Sequence, residues 1–115
     1  MKLLWATDIH LDSASTKSRT MFVNNINQRK ADKVLITGDI ATGTSIIDEL
    51  EWLSRTIDAP LYFVLGNHDY YGASIKSVRS QVSQWSQMQE DAHWLDESGY
   101  IRLSQTKVLI GDGGW

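Results

Sequence analysis

The sequence predicts an α/β fold built on a parallel sheet, and three observations lead there. A short apolar run, a polar loop and an amphipathic segment follow one another three times in succession. The apolar runs are nearly continuous rather than alternating, as in strands covered by helices. The chain has 115 residues, 42% of them hydrophobic and 22% charged, the proportions of one folded domain.

The first unit opens with Lys2–Thr7 (KLLWAT), a strand-like run that stops at Asp8. A polar loop, Asp12 to Ser15, leads to a helix expected from about Thr16 to Lys30, with Phe22 and Ile26 one turn apart and facing the core. The second unit opens with Lys33–Thr37 (KVLIT) and stops at Gly38-Asp39. Its helix, from about Thr44 to Ile57, carries Ile46, Ile47, Leu50, Leu53 and Ile57 at the spacing of one buried face. Ser45 and Asp48 fit an acidic capping box at its start.

The third unit follows Pro60, the only proline, placed where a strand begins and a missing N–H is tolerated. Leu61–Leu65 (LYFVL) is the most strand-like run, and it stops at Gly66-Asn67-His68-Asp69. A helix from about Ser74 to Glu90 is expected to bury Ile75, Val78, Val82, Trp85 and Met88. Trp94-Leu95, Tyr100–Leu103 and Lys107–Ile110 read as short strands with no helix among them, the opening of a second, more antiparallel sheet.

Several classes of function are excluded early. There is no cysteine, hence no disulfide scaffold and no thiolate metal site. Eleven basic against fourteen acidic residues give a net charge of -3, which speaks against a basic nucleic-acid face. No apolar run approaches the roughly 18–20 residues of a membrane span. The start, MKLLWATDIH, is too short and too soon acidic for a signal peptide, so a cytoplasmic location is expected.

Parallel strands place their C-terminal ends on one edge, where open α/β sheets build their sites. Asp8, Asp39 and Asn67 each lie just past one of the three strands. With His10, His68 and Asp69 they offer carboxylate, imidazole and amide oxygen and no sulfur, a set suited to Mn²⁺, Fe²⁺, Mg²⁺ or Zn²⁺. Asp8 and His10, two apart in an extended segment, point the same way. Asp39 could bridge two ions about 3.5–4 Å apart. Two divalent ions against two carboxylates leave a local charge of about +2, which draws a phosphate despite the acidic chain. A water whose pKa the metal lowers would be the nucleophile. His68 would stabilise the phosphoryl oxygens or protonate the leaving group, with Asp69 fixing its tautomer. Trp52, Tyr70 and Tyr71 read as packing or surface aromatics, and Asp12, His93 and Asp112 as structural.

DIH at Asp8–His10, GD at Gly38-Asp39 and GNHD at Gly66–Asp69 resemble, in order and spacing, the first three signature motifs of the calcineurin-like metallophosphoesterases. The resemblance covers essentially the whole chain. It implies a four-layer α/β/β/α sandwich and hydrolysis of a phosphomonoester or phosphodiester at two divalent metal ions. It implies that Asp8, His10 and Asp39 bind the first ion, Asp39 and Asn67 the second, and that His68 and Asp69 form a catalytic pair. GDIATG and LGNHD differ from the GDYVDRG-like and RGNHE-like segments of the protein serine/threonine phosphatases. They are more similar to the small prokaryotic-type phosphoesterases and phosphodiesterases.

The family also has a later histidine and a Gly-His-x-His motif, and neither has a counterpart among the three histidines here, 10, 68 and 93. Residues 1–115 are therefore expected to be the N-terminal half of the sandwich, truncated at the C-terminus. Such a half would self-associate or lean on a missing C-terminal segment, since its later strands lack a covering layer. The alternative is a catalytically weak or inactive protein-interaction scaffold on the same fold. The intact DIH, GD and GNHD motifs speak for the enzyme.

Overall fold

A computed structural model describes residues 1–115. Its elements follow the expected alternation: β1 (Leu3–Ala6), α1 (Thr16–Gln28), β2 (Lys33–Thr37), α2 (Ile46–Thr56), β3 (Leu61–Val64) and α3 (Ile75–Gln87). Then come β4 (Ala92–Trp94), α4 (Leu95–Ser98), β5 (Ile101–Arg102) and β6 (Val108–Leu109). The first four strands form one parallel sheet in the order β1-β2-β3-β4, and β5 with β6 forms an antiparallel hairpin.

The register separates the two faces of the sheet. One row is Leu4, Val34, Leu61 and Ala92, and the next is Ala6, Ile36, Phe63 and Trp94. Of these, Val34, Ile36, Leu61, Phe63, Ala92 and Trp94 are buried in one core with Val23 and Ile26 of α1, Ile46, Leu50 and Leu53 of α2, and Val78, Val82 and Trp85 of α3. All three long helices therefore lie on this face. The topology requires it, because four strands laid down in sequence order with right-handed crossovers keep every helix on one side. The opposite face carries Leu3, Trp5 and Leu35 with no long helix over them, and Trp5 is 67% exposed, whereas Val64 has Gly111 against it. There Tyr62 stacks on His93 at 4.9 Å.

The helix boundaries have local causes. Ser15 caps α1 by accepting the Ser18 N–H, and Ser74 caps α3 by accepting that of Ser77. Lys30, with φ 51°, turns the chain left-handed just after α1 and ends it short of the expected Lys30 limit. α2 starts at Ile46 rather than Thr44, and the Ser45–Asp48 capping box does not form. The Ser45 hydroxyl instead accepts the Thr42 N–H and bonds the Thr42 hydroxyl, closing the loop before the helix.

Three further expectations are corrected. Trp94-Leu95 does not open a second sheet. Ala92–Trp94 pairs in parallel with β3 as a fourth strand of the first sheet, while Leu95 begins a one-turn helix. On α3, Val78, Val82 and Trp85 are buried, but Ile75 and Met88 are exposed, because each lies at a helix end beyond the layer below. Phe22 packs only partly against the core, and Val23 and Ile26 fill the place below α1. No helix is long and apolar enough to cross a membrane.

Candidate metal centre

The site is built where the chain leaves β1 and β2. Beyond the strands the two segments stay bonded to each other: Asp8 N–H donates to Gly38 O, His10 N–H to Asp39 O and Leu11 N–H to Ile40 O, at 3.1, 3.0 and 2.8 Å. These irregular bonds tie the two ligand-bearing segments together past the end of the sheet.

The backbone of that frame is unusual. Four non-glycine residues have positive φ, and three of them are Asp8 (54°), His10 (44°) and Asp39 (51°). The left-handed region costs an ordinary residue roughly 1–2 kcal/mol, less for Asp and His than for bulkier types. Strain of this kind collects where a side chain must be aimed. Here it brings one ligand atom from each of Asp8, His10 and Asp39 within 4.8 Å of one another. Two carboxylates and an imidazole suit a hard or borderline divalent cation.

Neighbouring groups fix which oxygens remain free. Thr7 Oγ1 lies within hydrogen-bond distance of Asp8 Oδ2 and of the Thr37 carbonyl and gives its one proton to either, while Asp8 Oδ1 has no such partner. His68 N–H donates to Asp39 Oδ1 at 3.1 Å, leaving Asp39 Oδ2 available. Gly66 lets that carboxylate approach, since a Cβ there would run into Asp39 Oδ1 and lie 2.8 Å from Asp39 N. Gly38, at φ 90°, faces Gly66 backbone to backbone, with room for no side chain between them.

His68 starts a one-turn 3₁₀ helix, His68–Tyr70. Its ring meets His10 edge-on at 4.9 Å and Tyr71 at 4.3 Å. The expected His68–Asp69 pair is not formed. Asp69 is fully buried and turned away. Its Oδ1 accepts the N–H groups of Ile40 and Ala41, and its Oδ2 that of Gly66, each at 2.8 Å. In so tight a turn adjacent side chains diverge, and this carboxylate ties the β2 and β3 loops together beneath the site. Burial pushes the Asp69 carboxyl above the ordinary carboxylate range. The three amides pull it back, and the charge on Asp39 adds to the rise.

Asn67 Nδ2 donates to the Tyr71 hydroxyl at 3.0 Å. Tyr71, 51% exposed, therefore touches both Asn67 and His68, whereas Tyr70 is buried as packing. Thr7 does not stand out in the sequence, where it is one more polar residue beside a motif, and Tyr71 reads there as a packing or surface aromatic. His93 lies away from the centre, in β4.

No curated protein and no solved structure matches the chain. The family model described as calcineurin-like phosphoesterase matches residues 1–115. The match spans the parallel sheet and all three motif loops just described, and the chain is a member of the calcineurin-like phosphoesterase family.

Proposed function

We propose that the protein hydrolyses a phosphomonoester or phosphodiester at two divalent ions. In this reading Asp8, His10 and Asp39 hold the first, and Asp39 with Asn67 the second. The observation that carries it is the group of Asp8, His10 and Asp39, three strained residues whose ligand atoms lie within 4.8 Å of one another. When bound, the ions supply Lewis-acid polarisation of the phosphoryl group and an activated water. The chain's own residues do the rest. Asp8 and Asp39 present carboxylate oxygens, one of each pair steadied by Thr7 and by the His68 N–H. His68, its ring against Tyr71, would donate to a phosphoryl oxygen or the leaving group. Asp69 acts as a strut under both loops, not as partner to His68.

The open face with Leu3, Trp5 and Leu35 supports a further reading: these residues form the N-terminal portion of a four-layer sandwich, with that face as the seat of the second sheet.

Hydrolysis of an aryl phosphodiester with added Mn²⁺, run beside calorimetric titration of Mn²⁺, tests the proposal. Asp39→Asn should weaken Mn²⁺ binding more than Asn67→Ala, because Asp39 serves both ions. The loss should be at least the roughly 10–100-fold typical of a residue that only supports a ligand. Unchanged affinity in Asp39→Asn would sink the assignment.

A further inference from the structure

We propose that Tyr71 is a positioning residue of the metal centre, one that anchors the Asn67 amide beside the ions. The proposal rests on the reading of Asn67 as a ligand. An amide side chain presents an oxygen at one end and two N–H donors at the other, and only the oxygen can bind a cation. Left to itself on a surface turn, the group rotates between the two. Here Asn67 Nδ2 donates to the Tyr71 hydroxyl at 3.0 Å, four residues on; the phenol anchors one end of the amide and leaves the other free.

The backbone that carries the phenol is itself held. Tyr71 N–H donates to His68 O at 3.0 Å, closing the 3₁₀ turn, and Tyr71 O accepts the Gly43 N–H at 2.8 Å from the loop after β2. Gly43 allows this approach, since a Cβ there would sit 3.0 Å from the Tyr71 carbonyl. The ring lies against His68, with centroids 4.3 Å apart and planes 32° apart. One half-exposed side chain thus restrains two residues of the GNHD motif, by a hydrogen bond to one and a ring contact to the other.

Two measurements test this on the whole chain. In the metal-free protein, Tyr71→Phe keeps the ring and removes the hydroxyl. It should shift the Asn67 side-chain amide resonances in a ¹H–¹⁵N spectrum while the backbone of the sheet stays in place. In calorimetry with Mn²⁺ alone, Tyr71→Phe should lower affinity about three- to tenfold, the range of one neutral hydrogen bond. Added to Asn67→Ala it should lower it no further, because the phenol acts only through that amide. An unmoved Asn67 amide overturns the proposal. So does a Tyr71→Phe loss that adds in full to that of Asn67→Ala, or wild-type Mn²⁺ affinity in Tyr71→Phe. Failure of the unsubstituted chain to take up Mn²⁺ strikes instead at the metal reading on which the proposal rests.

Discussion

Gly66 lies against the carboxylate of Asp39, so closely that a single methyl group on Gly66 would occupy the place of Asp39 Oδ1. The glycine of one motif is thus a steric requirement of the aspartate in another, 27 residues earlier in the chain. Gly66→Ala should displace that carboxylate and weaken Mn²⁺ binding as strongly as Asp39→Asn. Overpacking of this kind costs about 1–3 kcal/mol of stability. Calorimetric titration and a denaturation midpoint measured on the same variant check both effects. Normal Mn²⁺ affinity in Gly66→Ala would show that the Asp39 carboxylate has another position open to it.

His10 sits at φ 44° and ψ 58°, and its ring makes no hydrogen bond. His10→Gly should leave the metal-free protein at least as stable as the wild type. His10→Ala should be less stable than His10→Gly by about 1 kcal/mol, because only glycine adopts the left-handed region without a Cβ clash. Both should lose Mn²⁺ affinity alike. Urea unfolding of the three proteins tests the ordering, and equal stability of the glycine and alanine variants would refute it.

Asp69→Asn keeps the size of a buried side chain and puts an NH₂ where an accepting oxygen stood. Whichever way the amide turns, it faces either the Gly66 N–H or the pair from Ile40 and Ala41. Each buried donor left without an acceptor costs about 1–3 kcal/mol. The expected result is a marked fall in the unfolding midpoint, with the loop after β2 losing amide protection first. A variant as stable as the wild type would mean that the carboxylate is not the strut described.

Glu51 predicts a pH effect far from the metal centre. Its carboxyl lies below the ordinary range chiefly because Trp85 Nε1 donates to Oε2 at 2.8 Å, with Arg55 adding to the effect and partial burial opposing it. A folded-state pKa below the unfolded value means that the contribution is complete above pH 4.5 and is lost as pH falls through the folded value. The stability difference between wild type and Glu51→Gln should therefore shrink on acidification through that window. A difference constant with pH would remove the indole contact as its cause.

Much of this architecture can be read from residue order alone. Ile46, Leu50 and Leu53 announce a buried helix face by spacing, and LYFV a buried strand by continuity. Asp8, His10, Asp39 and Asn67 announce a common edge by falling after strands. The misses have physical reasons. Ala92–Trp94 is too short to show a period, so its place as a fourth parallel strand rests on pairing with Leu61–Phe63, which no local pattern records. Ile75 and Met88 lie on the correct face of α3, but a helical wheel does not say where the layer beneath it ends. His68 and Asp69 are neighbours in sequence and therefore read as a pair, yet their side chains part within one tight turn. The left-handed backbone at Asp8 and His10 leaves no mark on composition, because no glycine precedes either.

The order β1-β2-β3-β4 also bears on how the molecule is made. Every new strand docks on the edge left by the one before it, and none has to be inserted between two already in place. Such a sheet can grow in the direction of synthesis, each unit finding a finished template across one helical crossover. Asp8, His10 and Asp39 all belong to the first two units. Their backbone frame is laid down when β2 pairs with β1, and the Asp39 carboxylate is seated only when Gly66 and His68 of the third unit arrive against it.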